Sequence, residues 1–239
     1  MSTENTDNHI NEEKVIPSSK IGENLCLISV RLTINLLIHV LIFLIVFICL
    51  WFACSTEINL FNLHIILCVL GYQFFMCHGT LVMSQYNAWT MFIARRYKKH
   101  FHWVLQVLAF ALVTTGTVFV ILQKDTHFTS IHGILGLAAL VLAFVSLLNG
   151  ILVMFSHKVS SSAIGMFWIK FFHYLSGVAS ILVGTGSLCA AFNYDSFKTW
   201  TGEGDGFILT LMVLTCLFSV LITLDFWIAT GIKFRTRSK

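Results

Sequence analysis

His64, His102, His132 and His173 each open a long apolar run. Consecutive membrane helices alternate in direction, so His64 and His132 belong near one membrane face and His102 and His173 near the other. Neutral imidazole is a good axial ligand for haem iron, and two of them fill both axial positions, leaving none for oxygen or substrate. A centre closed in this way mainly transfers electrons. Two such centres stacked across a bilayer carry electrons from one face to the other, and the cores of helix bundles hold such groups between facing helices.

A porphyrin between helices needs room, so small residues are expected below each histidine at helical spacing. One run gives His132, Gly136, Ala139 and Ala143, and another gives His173, Gly177, Ser180 and Gly184 at the same offsets. His64 is followed by Cys68 and Gly71 before Phe75 closes the row, and His102 by Gln106 and Ala109 before Val113. Such rows also occur in ordinary helix packing. Their recurrence below histidine favours haem. Zinc needs three or four close ligands, and each face supplies two well-placed histidines.

The elements that must position these residues are membrane helices. Of the 239 residues 57% are hydrophobic and 11% charged, with a mean hydropathy of +0.84. A soluble domain of this size cannot cover so much apolar surface, so an all-α, polytopic membrane protein is expected. About twenty apolar residues span a bilayer as a helix. Six stretches qualify: Ile28–Phe52, Leu63–Met83, Phe101–Leu122, Ile131–Phe155, Ile169–Phe192 and Phe207–Ile232. The expected architecture is six transmembrane helices with a four-helix dihaem core over residues 28–232, between a polar tail (1–27) and a basic tail (233–239). No cleaved signal peptide is expected, and the first span serves as the insertion signal. The seven cysteines form no C-x-x-C pair and no C-x-x-C-H, so covalent haem attachment and a disulfide framework are not expected.

Basic residues set the orientation, being retained on the cytoplasmic side. Thirteen of the fifteen fall on one side: Lys14, Lys20 and Arg31, then Arg95, Arg96, Lys98 and Lys99, then Lys158 and Lys170, then Lys233, Arg235, Arg237 and Lys239. Lys124 and Lys198 lie opposite, beside Glu57, Asp125, Asp195, Glu203 and Asp205. Both termini are therefore expected in the cytoplasm, with His102 and His173 inside and His64 and His132 outside. The charge pattern offers no footprint for nucleic acid.

The remaining histidines carry weaker claims. His9 lies in the polar tail. His39 is mid-span in the first helix, where a hydrogen bond to a neighbouring helix is the plainer role. His78 follows His64 by fourteen residues on the same face, about 21 Å along an α-helix, which predicts a place near the cytoplasmic pair or a propionate. His100 and His157 are loop residues. His127 competes with His132, but it precedes the helix and lacks the row of small residues.

At these residues the chain resembles the cytochrome b561 family, most closely the short branch without extra extracellular domains. The carrying motifs are Phe101-His102-Trp103-Val104-Leu105-Gln106, Ile131-His132-Gly133 and His173-Tyr174-Leu175-Ser176-Gly177, with the interval from His64 onward. The resemblance covers roughly residues 28–232. It implies two non-covalent, bis-histidine haem b groups, the cytoplasmic one on His102 and His173 and the outer one on His64 and His132. It also implies a transmembrane oxidoreductase that takes electrons from cytosolic ascorbate and reduces monodehydroascorbate radical or ferric iron chelates on the far side. Endoplasmic reticulum or another endomembrane is the implied location, and a homodimer is compatible with it. Two residues depart from the family pattern: Ile65 follows the first ligand where proline is common, and Ser84 stands where an ascorbate-linked arginine occurs in the chromaffin-granule type. Arg95, Arg96, Lys98 and Lys99 are the candidate cations for ascorbate or haem propionates. Lys124 and His127, with Phe128, are candidates for contact with the acceptor. The competing function is a small proton or metal-ion transporter using intramembrane histidines without haem. That reading calls for a continuous polar path, whereas the mid-helix residues are mainly aliphatic and aromatic.

Overall fold

The computed structural model describes residues 18–84, 86–155, 163–202 and 204–237; for residues 18–24, 163–164 and 225–237 it describes the backbone course alone. His9, Lys14, His157, Lys158, Glu203 and Lys239 lie outside the described residues, as do the side chains of Lys20, Lys233, Arg235 and Arg237. Six helices long and apolar enough to cross a membrane are present among the described residues, which contain no strand. We number the helices α1 (Ser18–Cys54), α2 (Leu60–Leu81), α3 (Arg95–Gln123), α4 (Ile131–Met154), α5 (Ala163–Phe192), α6 (Asp195–Thr201) and α7 (Asp205–Arg237). The all-α, six-span architecture read from hydropathy is the one found.

Local chemistry sets where two of the histidine-bearing helices start. Asn59 caps α2 by accepting from Asn62 N at 2.9 Å, and Ser130 caps α4 by accepting from Gly133 N at 3.1 Å. Each cap therefore sits a few residues ahead of a histidine, His64 or His132. The short helix α6 was not expected. Its Phe197 is buried, its Trp200 packs on Trp51 and Phe52, and Gly202 closes it with a φ of 60°.

Two antiparallel hairpins form the core, α2 with α3 and α4 with α5, each tightly packed within itself. Small residues permit this. A Cβ on Gly71 would stand 2.9 Å from the Ala109 carbonyl and also collide with Val113, so α2 and α3 touch backbone to backbone there. Helices α1 and α7 pack together beside the core through Ile38, Ile42, Ile45, Leu211 and Phe218.

One segment breaks α-helical geometry. Val69–Met76 of α2 is a π-helix. A π turn takes in one more residue than an α turn, and without that local unwinding one extra residue would rotate everything beyond it by about 100°. Such a segment leaves backbone groups poorly paired. Gln106 answers one of them, its Nε2 donating to Met76 O at 3.1 Å, and Thr80 Oγ1 donates to the same oxygen at 3.0 Å. This accounts for the Gln106 that follows His102 by one turn.

Candidate functional site

Each of the four histidines is fixed by a backbone carbonyl of the helix beside it. His64 Nδ1 lies 2.9 Å from Gly116 O and His102 Nδ1 lies 2.7 Å from Gly79 O. His132 Nδ1 lies 2.9 Å from Ser187 O and His173 Nδ1 lies 3.0 Å from Ser146 O. A carbonyl can only accept, so Nδ1 carries the proton in all four rings and Nε2 keeps its lone pair. That is the state a metal-binding imidazole needs, with its orientation already set.

The holding is reciprocal. Helix α2 holds the histidine of α3 while α3 holds that of α2, and α4 and α5 do the same for each other. On every helix the holding residue follows the histidine by about four turns, at a spacing of fourteen residues in α3, α4 and α5 and fifteen in α2. The additional residue in α2 is the one its π segment absorbs. In consequence Gly79, not His78, meets the partner helix.

His78 therefore does not lie where an unbroken α-helix would put it. Its Nδ1 donates to Phe74 O at 2.8 Å, and its Nε2 lies 3.2 Å from Nδ1 of the buried His39, in a nest of Phe43, Phe74 and Trp89. With Nδ1 of His78 protonated, its Nε2 accepts and His39 donates. The helix-to-helix hydrogen bond expected of His39 is thus made to His78, and His78 faces α1 instead of the His102 and His173 pair.

Across the hairpins the histidines meet in twos. The rings of His64 and His132 have centroids 6.1 Å apart with planes at 85°, and those of His102 and His173 are 6.1 Å apart at 90°. A metal–imidazole bond is about 2 Å, so two rings on opposite sides of one metal have centroids about 6 Å apart. Each pair comes from two different hairpins. Among the described residues no group of three His, Cys, Asp or Glu side chains comes together as a metal-ion site.

The four holders differ in kind. Gly79 and Gly116 have no room for a side chain, since a Cβ would stand 2.9 Å from Gln106 Nε2 or 2.9 Å from Cys68 Sγ. Ser146 and Ser187 also use their hydroxyls, which donate to the peptide oxygens of His173 at 3.4 Å and of His132 at 2.9 Å. Each pair thus combines one glycine-held and one serine-held ring. Sequence reasoning missed all four holders. The repeated interval from each histidine was the signal available.

A cavity of about 370 Å³ surrounds His64 and His132, and Gly136 and Gly184 open onto it. This volume lies within the range of cofactor sites, roughly 300–1,000 Å³. The rows of small residues thus serve two ends. Gly136 and Gly184 border the cavity, whereas Ala139 and Ala143 are buried in the packing and Gly177 receives the Ser146 hydroxyl. Tyr194 covers His132 from outside, ring centroids 5.8 Å apart, with its hydroxyl donating to Ser130 Oγ at 2.9 Å.

Of the candidate substrate residues, Lys124, His127 and Phe128 line this same cavity, Phe128 in a left-handed backbone conformation with φ 54°. The cluster at the start of α3 is divided. Arg95, Arg96 and Lys99 are exposed, with the Arg96 guanidinium over the Tyr97 ring at 4.7 Å. Lys98 is buried, and its Nζ donates to Ser84 O at 2.8 Å. It ties down the connection that precedes α3 and is not a surface cation.

Comparison with known proteins agrees with the motifs. The family model for eukaryotic cytochrome b561 matches residues 63–199, more than half of the chain. The chain is 28% identical to the protein named transmembrane reductase CYB561D2 of Mus musculus over 165 residues, 66% of this chain and 73% of that one. It is 29% identical over 134 residues to the proteins of the same name from Homo sapiens and Bos taurus, 54% of this chain and 60% of each of theirs. The matched stretch thus spans less than two thirds of the human and bovine proteins. The chain belongs to the eukaryotic cytochrome b561 family.

Proposed function

We propose that this protein is a transmembrane oxidoreductase, carrying single electrons between two haem b groups from cytosolic ascorbate to monodehydroascorbate radical or ferric iron chelates on the other side. The observation that carries this reading is the pair of 6.1 Å imidazole contacts, each built from Nδ1-anchored rings on separate hairpins. His102 and His173 would hold one haem, on the basic face taken as cytoplasmic, and His64 and His132 the other. When bound, these groups supply reversible one-electron iron chemistry.

The chain's own residues do the rest. The carbonyls of Gly79, Gly116, Ser146 and Ser187 hold the four Nδ1 protons, so the rings need no rearrangement when the oxidation state changes. Tyr194 and the Ser130 cap shield His132 from water. Lys124 and His127 border the outer cavity, where a cation attracts an anionic acceptor. Arg95 and Lys99 stand exposed on the basic face and are placed to attract the ascorbate anion.

The test is spectroscopic and vectorial. Purified protein is expected to show a b-type α-band on reduction and two components in a redox titration. Vesicles containing the protein, with ascorbate on its basic-face side, are expected to reduce a ferric chelate across the membrane. Protein that emerges without haem from haem-replete expression sinks the reading.

The divided basic cluster makes a separate prediction. Lys99→Ala and Arg95→Ala are expected to raise the ascorbate concentration needed for half-maximal reduction without lowering thermal stability. Lys98→Ala is expected to destabilise by about 1–3 kcal/mol, because the hydrogen bond from the buried ammonium to the Ser84 carbonyl is lost. Thermal unfolding followed beside ascorbate titration separates the two classes. Equal loss of stability in all three variants refutes the division.

A further inference from the structure

Tyr72 stands between the two histidine pairs. On α2 it is eight residues beyond His64 and seven before Gly79, or about 12 Å and about 10 Å at helical rise. Its ring lies against α5, with Cδ1 and Cε1 at 3.2 and 3.3 Å from the point where a Cβ on Gly184 would stand. The Ala139 Cβ of α4 is 3.7 Å from that same point. Ala139 is seven residues from His132 and seven from Ser146, the midpoint of its own helix. The Tyr72 ring therefore reaches from one hairpin to the other about halfway between the sites, as the stacked Phe110 and Phe144 rings also do at 5.9 Å, and it borders the cavity around His64 and His132.

The Tyr72 hydroxyl is buried and has no hydrogen-bond partner among the described residues. Glycine at position 184 is what admits the ring, because any larger residue there meets it.

We propose that the Tyr72 ring is the bridge through which the electron passes between the two centres. The inference rests on the dihaem reading above. One electron leaves the centre at His102 and His173 and one arrives at the centre at His64 and His132. Tyr72 is neither oxidised nor deprotonated; its ring fills the space between α2 and α5 beside Gly184, on the side of the cavity around His64 and His132. Its role is to position matter between the sites, so aromatic replacement preserves the function and aliphatic replacement does not.

The experiment compares Tyr72→Phe and Tyr72→Leu with the unaltered protein. Haem content, the reduced spectrum and the midpoint potentials of both components are measured first, followed by stopped-flow reduction by ascorbate with the two components resolved. Tyr72→Leu is expected to keep both components and their potentials while reduction of the second becomes several-fold slower. Tyr72→Phe is expected to match the unaltered protein throughout. An unchanged rate in fully loaded Tyr72→Leu overturns the bridge, and so does equal slowing in both variants. If Tyr72→Leu fails to load haem, Tyr72→Met with both components serves as the aliphatic test, and an unchanged rate there overturns the bridge equally. Unaltered protein without two components overturns the dihaem reading itself, and this inference with it.

Discussion

His173→Ala is expected, on the dihaem reading proposed above, to remove one of two redox components and reduce transmembrane electron transfer to background, while the other component persists. The ring of His173 is held from two sides, by the Ser146 carbonyl at 3.0 Å and by Gly150, whose missing side chain leaves space 3.2 Å from Cε1. Without it His102 would be left to hold the proposed group alone. His64 and His132 lie about 21 Å along the bundle, by the helical rise over fourteen residues, and their own carbonyl contacts do not involve α5 residue 173. Ser146→Ala is the informative companion. It removes a hydroxyl 3.4 Å from the His173 oxygen but keeps the carbonyl that orients the ring, so both components are expected to remain. Redox titration of the two variants decides the matter. Survival of both components in His173→Ala would remove this residue from the ligand set.

Deletion of Phe75 is expected to be tolerated at the histidine sites, whereas deletion of Leu112 is not. Losing one residue inside a membrane helix normally turns everything beyond it by about 100° and carries a buried face out of the core. In α2 the π segment Val69–Met76 already contains one residue in excess. Removing it lets the segment relax to α geometry, and the spacing from His64 to Gly79 becomes the fourteen residues found in the other three helices. The Gly79 carbonyl then still meets His102. In α3 no such slack exists, and losing Leu112 between His102 and Gly116 takes the Gly116 carbonyl away from His64. The expected results are two redox components for the first deletion and loss of the component at His64 and His132 for the second. Loss of both components on deleting Phe75 would show that the π segment is not a one-residue insertion accommodated in place.

What was readable in the sequence followed from side chains with strong solvent preferences. Apolar runs declare six spans because the bilayer admits nothing else, and the four histidines stand out because imidazole is costly there unless used. The holders Gly79, Gly116, Ser146 and Ser187 were missed, since their contribution is a backbone carbonyl that every residue possesses and only their repeated interval from the histidines marks them. The position of His78 was misread for a definite reason, as a periodicity of 3.6 cannot anticipate a π turn. The burial of Lys98 was not readable, because charge counting does not show that the preceding connection folds back to offer the Ser84 carbonyl. The short helix α6 escaped notice because its apolar anchors, Phe197 and Trp200, are too few to mark a helical period in the sequence.

The two hairpins have a mechanical consequence. Inside each hairpin the helices are locked by close glycine contacts and by mutual carbonyl holding, yet α3 touches α4 only sparsely. Both imidazole pairs straddle that seam. A group seated between His64 and His132, or between His102 and His173, is therefore a rivet joining two half-molecules. Binding to the assembled form stabilises it by mass action, so on the dihaem reading part of the cohesion across this seam would come from groups outside the chain, added to what α1 and α7 supply by joining α2 to α5.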